Sequence, residues 1–179
     1  MLKKWKTNNY QHILKTFVFN YFKADRENST GELKGSFDIL ECRNWVNVFA
    51  FNERDELILV KQYRHGIDDL TLETVAGVIE SSEEPLTAAK RELLEETGHC
   101  SDEWSELGRV SANPAFMNNY CHYFVARNCR EVSAQDLDPL EEIEVLKISM
   151  NEVEDKIRSG EIHHSLFLAG IGLLKNSLP

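Results

Sequence analysis

Three glutamates stand close together in the segment GVIESSEEPLTAAKRELLEETGH, which runs from Gly77 to His99. In a helix, Glu92 and Glu96 are one turn apart and share a face, with Glu95 beside them. Like charges at that spacing weaken a helix, and a cation between them would remove the conflict. Oxygen-only ligands suit a hard ion. The spacing therefore predicts a Mg²⁺ site, with Mn²⁺ as a substitute.

Several signals predict that a helix over residues 85–97 carries these carboxylates. Pro85 suits the first turn, where its missing N–H costs little. Gly98 suits the left-handed conformation that ends many helices. Apolar and small residues recur at helical spacing and predict one buried stripe, formed by Leu86, Ala89, Leu93 and Thr97. This helix presents the glutamates together on one side.

Taken alone, such a cluster is also typical of a solvated acidic helix face on which Arg91 pairs with Glu95. The surrounding pattern favours the metal site. It reads G-x5-E-x7-R-E-U-x-E-E-x-G-U, where U is a bulky apolar residue, and it resembles the Nudix box. The matching fixed positions are Gly77, Glu83, Arg91, Glu92, Leu93, Glu95, Glu96 and Gly98. His99 departs from the last apolar position, which affects packing at the helix end and leaves the glutamates unchanged.

The resemblance to Nudix hydrolases implies a role for each of these residues. Glu92 and Glu96 would hold the metal, with Glu95 assisting directly or through water. The backbone carbonyl of Ala76 would complete the metal site. Arg91 would orient the carboxylates by pairing with them, so that Arg91 and Glu95 also take part in catalysis.

Residues upstream of the box indicate which subgroup of Nudix hydrolases the chain resembles. The segment VKQYRHGIDDLTLETVAGVIE is similar to the Q-Y-R and L-E-x-P-A-G segments of ADP-ribose pyrophosphatases and related nucleotide-sugar hydrolases, with Val75 replacing the proline. Arg64 is then a phosphate clamp or a surface ion-pair partner. Glu73 is a substrate contact or the partner of an arginine. Pro114 and Phe116, in SANPAFMNN, complete the predicted substrate-binding set through a partial match to the same subgroup, and the alternative for Pro114 is a loop-shaping role.

The general base is expected outside the box, because in this subgroup it often precedes a late strand. The acidic segment here is residues 136–144, DLDPLEEIE. In the resembling subgroup the acidic residue stands two positions before the first apolar residue of that strand. If Ile143 is that apolar residue, the base is Glu141. A one-residue slip would select Glu142 or Glu144 instead. The alternatives are a solvated acidic loop, or a base supplied by the box carboxylates themselves.

Residues 1–42 are predicted to form a separate antiparallel strand extension. Ile13–Lys23 and Ser36–Cys42 read as two strands of a hairpin, which is too small to be stable alone. Together with its occurrence in the resembling subgroup, this predicts a two-fold homodimer through the extension. Four aromatic residues could stack on a base or could belong to the core or the dimer contact, and none is singled out: Trp5, Phe17, Phe19 and Trp45.

Residues 43–179 are predicted to form the Nudix hydrolase domain. Strand patterns alternate there with the box helix and two later helices, which places the chain in the α/β (α+β) class. The resemblance implies an α/β/α sandwich with a mixed central sheet. Strands are expected at Trp45–Phe51, at Leu57–Tyr63, near Gly77, at Ser105–Ser111, at Tyr120–Ala126 and at Glu142–Ile148.

Composition excludes some classes of partner and location. The formal net charge is −10, which argues against binding to nucleic acid or to anionic membranes. The four cysteines match no zinc spacing and are read as reduced thiols. The longest apolar run, near Leu166–Leu174, is too short to cross a bilayer, so a soluble cytoplasmic protein is expected. His163 and His164 are read as surface or helix-start residues.

Together these observations predict a Mg²⁺-dependent hydrolase that cleaves the diphosphate bridge of a nucleoside diphosphate sugar. ADP-ribose and GDP-mannose fit equally well. Two alternatives are a Nudix hydrolase of a dinucleoside polyphosphate or damaged nucleoside triphosphate, and a catalytically silent module that binds a nucleotide sugar. The complete set of box carboxylates argues against the silent module.

Overall fold

The computed structural model describes residues 1–177; residues 178–179, which the predicted second domain included, lie outside the described residues. The chain divides into two units. The first contains Met1–Asn44 and Ser111–Tyr120, and the second contains Trp45–Val110 and the chain from Cys121 onward. The predicted boundary between residues 42 and 43 stays a prediction.

The first unit contains a three-stranded antiparallel sheet in the order β1-β2-β3. Its strands are β1 (Lys6–Lys15), β2 (Phe19–Glu27) and β3 (Lys34–Cys42). The prediction of a single strand over Ile13–Lys23 is therefore wrong. The chain reverses at Thr16, whose side-chain oxygen accepts hydrogen bonds from the N–H groups of Val18 and Phe19. Apolar residues at this turn hid it, because a hydroxyl-based turn carries no glycine or proline signal.

The segment Ser111–Tyr120 belongs to the first unit through contacts with β3. Leu40 forms an isolated parallel bridge with Met117. The Leu40 N–H donates to the Phe116 carbonyl at 2.8 Å, and the side chain of Asn118 accepts from the N–H of Cys42 at 3.1 Å. Residues far apart in sequence are thereby joined into one sheet edge.

The second unit is built on a mixed sheet in the order β10-β5-β6-β4-β9-β7, with β8 paired to β9. β4 pairs with β9 in parallel and with β6 in antiparallel orientation, so the sheet is mixed, as predicted. The strands are β4 (Trp45–Asn52), β5 (Leu57–Arg64), β6 (Asp69–Val78), β7 (His99–Cys100), β8 (Glu103–Ser111), β9 (Tyr120–Glu131) and β10 (Ile143–Ile148).

Three helices cover this sheet: α1 (Pro85–Thr97), α2 (Met150–Ser159) and α3 (Ser165–Ser177). Alternate residues of β4 enter two hydrophobic clusters, because successive side chains of a strand point to opposite faces. One cluster packs residues of α1, and the other packs residues of α2 and α3. The predicted α/β/α sandwich is confirmed. None of the helices in the described part of the chain is long and apolar enough to cross a membrane.

Helix ends follow the signals in the sequence. α1 begins at Pro85 and is capped after Thr97 by Gly98, which has a left-handed φ of 70° and donates its N–H to the Leu94 carbonyl at 2.8 Å. Ser149 caps α2 in a reciprocal arrangement with Glu152. Leu86, expected in the buried stripe of α1, is 37 % exposed and lines an open cavity instead.

Candidate active site

Two glutamates of α1 turn towards the sheet, and burial dominates their chemistry. Glu96 is only 4 % exposed, and its carboxylate accepts a hydrogen bond of 3.2 Å from the backbone N–H of Ala76. Burial, followed by the charge of Glu92, raises the pKa of Glu96 well above its usual range. Burial is also the main cause that raises the pKa of Glu92 to about 7. A cation bound beside these two carboxylates would favour their charged forms and oppose both pKa shifts.

Arg91 binds three of the box glutamates at once. Its Nη1 group donates to Glu92 at 2.8 Å and to Glu95 at 3.0 Å. Its Nε and Nη2 groups donate to the two carboxylate oxygens of Glu83 at 3.1 and 3.0 Å, and Nη2 also donates to the Val78 carbonyl. The rigid guanidinium fork holds these side chains in a fixed relation, which suits the predicted orienting role of Arg91.

The donor set of α1 fits a divalent cation in an open site. The Glu95 side chain is 41 % exposed, whereas Glu92 and Glu96 are largely buried. One of the three carboxylates is therefore open to solvent and the other two lie inside the protein. Within residues 1–177, no three acidic, histidine or cysteine side chains lie close enough together to hold a metal ion by themselves. A divalent cation can bind through one or two carboxylates when water and substrate phosphate oxygens supply its other ligands.

Two predicted substrate-binding residues meet in an ion pair. Arg64, at the end of β5, donates from Nε and Nη2 to the two oxygens of Glu73 on β6 at 2.8 and 2.7 Å. The side chain of Glu73 is 2 % exposed, whereas that of Arg64 is 40 % exposed. The hydroxyl of Thr71 also donates to Glu73. Glu73 is thus the partner of an arginine, and the Nη1 group of Arg64 is not part of this pair.

His164 joins the same group, although its sequence context gave no sign of it. Its Nε2 atom lies 3.7 Å from the Glu73 carboxylate, and its Nδ1 atom is buried without a hydrogen-bond partner among the described residues. Burial lowers the pKa of His164, and the charge of Glu73 opposes that shift. The interpretation as a helix-start residue holds, because its carbonyl accepts from the N–H of Leu168 in α3. The contact with β6 is long-range and leaves no local pattern.

The acidic segment before β10 contributes its charge to the same region. After burial, the negative charge of Glu141 is among the causes that raise the pKa of both Glu92 and Glu96. Glu144 lies within β10, opposite Lys61 of β5. The structure thus brings Glu141 into electrostatic range of the box glutamates.

The remaining predicted residues are distributed between the two units. Pro114 and Phe116 belong to the first unit, whereas the box lies in the second. Of the aromatic residues considered for base stacking, Trp45 lies in β4 of the second unit. The others, Trp5, Phe17 and Phe19, belong to the first unit. Their contact with a substrate stays a prediction.

Comparison with known families agrees with this geometry. The family profile described as NUDIX domain matches residues 41–168, which contain β4 to β10 and both α1 and α2. The chain belongs to the Nudix family. The same family motif supplies Gly77, Arg91 and the glutamates of the site just described.

Individual relatives resemble the chain over most of its length. It is 27 % identical over 159 residues to an ADP-ribose pyrophosphatase of Bacillus subtilis, covering 88 % of this chain and 85 % of the relative. It is 25 % identical over 171 residues to a GDP-mannose pyrophosphatase of Salmonella typhimurium, covering 90 % and 89 %. A solved structure titled as an ADP compounds hydrolase has a TM-score of 0.85 at 21 % identity, covering 98 % of this chain and 95 % of the other. That likeness shows the fold.

Proposed function

We propose that this Nudix protein hydrolyses the diphosphate bridge of a nucleoside diphosphate sugar of the ADP-ribose or GDP-mannose type. The products would be a nucleoside monophosphate and a sugar phosphate. The names of the Bacillus and Salmonella relatives supply the substrate class. The observation that best supports this activity is the pair Glu92 and Glu96, two inward-facing carboxylates of one helix. Burial raises both of their pKa values, and a bound cation would stabilise their charged forms.

The cation is proposed to be Mg²⁺, with Mn²⁺ as a substitute, because the donors are oxygen atoms. Glu92 and Glu96 would hold it, together with Glu95 and the backbone carbonyl of Ala76. When bound, such a cation neutralises charge on the bridging phosphates and lowers the pKa of water. Arg91 would keep the carboxylates oriented through its bonds to Glu92 and Glu95.

Two further side chains are proposed to act on the substrate and on water. The Nη1 group of Arg64 would bind a phosphate, while its other two donors keep the guanidinium in place against Glu73. Glu141 would accept the proton of the attacking water as general base. Its negative charge already reaches Glu92 and Glu96, which supports this assignment over its neighbours. The sequence resemblance also assigns Pro114 and Phe116 to the proposed substrate-binding set.

A substrate panel tests the proposal. ADP-ribose, GDP-mannose, a dinucleoside polyphosphate and nucleoside triphosphates are each incubated with the protein and Mg²⁺, and monophosphate release is measured. We expect a nucleotide sugar to have the highest kcat/KM, and chelation of the cation to stop the reaction. A higher kcat/KM for a triphosphate or dinucleotide would move the chain to another Nudix activity. Tight binding of a nucleotide sugar without turnover would identify a silent module.

The homodimer belongs to the same proposal. β1 is the edge of its sheet and is exposed along its whole length. Large apolar residues in this strand and in the turn after it are exposed to solvent. Among them, Leu14 is 54 % exposed and Phe17 is fully exposed. An exposed apolar edge is a template for pairing, so a second copy of the chain is the proposed partner. Light scattering at micromolar concentration should give the mass of a dimer, and a monomeric mass would contradict the proposal.

A cytoplasmic location is also proposed. The four cysteines, Cys42, Cys100, Cys121 and Cys129, are free thiols in the structure. Free thiols persist in a reducing compartment. Fractionation of cells that produce the full chain would test the location, and recovery outside the cytoplasm would contradict it.

A further inference from the structure

The chain that follows β9 is hydrogen-bonded to the last turn of α1. The N–H groups of Val132 and Ser133 donate to the Gly98 carbonyl at 2.9 and 3.3 Å. The N–H of Asp136 donates to the Glu95 carbonyl at 2.9 Å. The last carbonyl groups of a helix have no partner within the helix. This segment supplies that partner, and so it is attached to the helix that carries the box glutamates.

Within the segment, one side chain bridges two elements of the site. The Nε2 group of Gln135 donates to the backbone carbonyl of Glu96 at 2.6 Å and to that of Ile143 at 3.3 Å. A side-chain amide nitrogen carries two hydrogens, so both bonds can exist together. Gln135 thereby joins the end of α1 to the first residue of β10.

The proposed general base lies between these two attachment points. The Glu141 N–H donates to the Asp138 carbonyl at 2.9 Å, and the Asp138 N–H donates to the Glu141 carboxylate at 3.2 Å. This turn therefore fixes the Glu141 side chain relative to its own backbone. On one side of the turn, Gln135 and Asp136 are hydrogen-bonded to carbonyl groups of α1. On the other side, Ile143 is hydrogen-bonded to Gln135.

We propose that Gln135 is a positioning residue that sets the distance between the Glu141 carboxylate and the box glutamates. It acts through the backbone and does not touch the substrate. The inference rests on the proposed function, and specifically on Glu141 as the base. Loss of the bridge would let the turn move as a unit relative to α1, and misplacement of a catalytic group lowers the rate of the chemical step more than the affinity for substrate.

The test compares variants of Gln135 in the full chain. Gln135→Met keeps a similar length and removes the donor. We expect kcat to fall by roughly 10- to 100-fold, the range that misplacement by about 1 Å can produce, while KM stays unchanged. The Mg²⁺ concentration dependence should also stay unchanged, because Gln135 bonds to the backbone carbonyl of Glu96 and not to its carboxylate. Gln135→Lys should restore part of kcat, since an ammonium group can donate to both carbonyls and is favoured at a helix C-terminus. Ser133→Ala, in the same segment, is the matched control.

Two further readouts separate positioning from general loss of stability. If Gln135 acts through Glu141, the double variant Gln135→Met/Glu141→Gln should be no slower than Glu141→Gln alone. Multiplicative losses would overturn the inference, because a globally weakened fold would produce them. Hydrogen exchange at the Asp136 amide, which donates to the Glu95 carbonyl, should also accelerate in Gln135→Met, whereas the amides of α1 keep their protection.

The failure of the inference can be distinguished from the failure of the proposed function. If the wild-type protein cleaves no nucleotide sugar, the proposed function fails, and the hydrogen-exchange comparison still decides whether Gln135 holds the turn. If the wild-type protein is active and Gln135→Met keeps its kcat, only the inference fails. Unchanged exchange at the Asp136 amide overturns the inference in either case.

Discussion

Gly77 lies directly against the carboxyl group of Glu92, at the point where β6 leads towards α1. A Cβ atom at position 77 would occupy the space of that carboxyl group. The backbone of β6 is ordinary here, so glycine is required for the close approach and not for an unusual φ. The first glycine of the box therefore makes room for a carboxylate of the site.

Gly77→Ala should remove activity with little effect on folding. The added methyl group would displace the end of the Glu92 side chain, which is flexible enough to move, and a misplaced catalytic group can cost roughly 100-fold in rate. Turnover and the melting temperature with and without Mg²⁺ measure the two effects. Gly172→Ala is the control, because a Cβ there meets no atom within 4 Å and α3 gains a better helix former. Wild-type turnover in Gly77→Ala would contradict the proposed role of Glu92.

Glu92→Gln and Glu96→Gln should each abolish most turnover and raise the stability of the metal-free protein. Both substitutions replace a largely buried carboxyl group whose charged form is disfavoured by burial and by the neighbouring carboxyl group one helical turn away. Binding of a cation to the folded state raises the melting temperature, so the rise caused by Mg²⁺ should shrink in both variants. Glu84→Gln, an exposed change of the same charge just before α1, serves as the control. Full turnover in both variants would contradict the assignment of the metal site.

Glu141→Gln should lower kcat by roughly 10²–10⁴-fold with little change in KM, the usual range for loss of a general base. Its effect on the Mg²⁺ dependence should be smaller than that of Glu96→Gln. Glu142→Gln and Glu144→Gln are matched controls in the same segment. If one of these controls loses activity while Glu141→Gln keeps it, the role belongs to that neighbour. Full activity in all three variants would leave the base among the box carboxylates.

His99→Leu should flatten part of the pH dependence of stability. His99 is 2 % exposed, and burial lowers its pKa below the ordinary value of 6.5. The unfolded chain therefore binds a proton more readily than the folded protein. The stability that a neutral His99 contributes is present above pH 6.5 and is lost as the pH falls through the lowered pKa. The free energy of unfolding should thus decrease less between pH 7.5 and pH 5.5 in the variant.

Urea unfolding of both proteins at several pH values measures this difference. The variant also loses the contact of 2.6 Å between the His99 ring and the Thr97 carbonyl. If this contact does not change with protonation of the ring, its loss lowers the free energy of unfolding by the same amount at every pH and leaves the pH slope unchanged. Glu92 and Glu96 are present in both proteins, so the effect of their shifted pKa values cancels in the comparison. His65→Leu, at an exposed histidine, is the control. An unchanged pH slope in His99→Leu would show that His99 keeps an ordinary affinity for protons.

The sequence by itself determined the helix of the box and the side chains that it presents. Helical periodicity is a local property, so spacing alone places Glu92, Glu95 and Glu96 together and brings Arg91 within reach of Glu95. Pro85 and Gly98 mark the ends of α1 for equally local reasons, because each residue restricts or permits particular backbone angles.

Tertiary structure alone decided which of these groups are buried and which distant residues join them. Glu95 and Glu96 are neighbours in sequence, yet the Glu95 side chain is 41 % exposed whereas Glu96 is buried, because only Glu96 faces Ala76 on β6. The contact of His164 with Glu73 and the bridge from Gln135 to Ile143 depend on how strands and loops pack. Such contacts obey no period along the chain, since they arise from the burial of apolar surface shared by several elements.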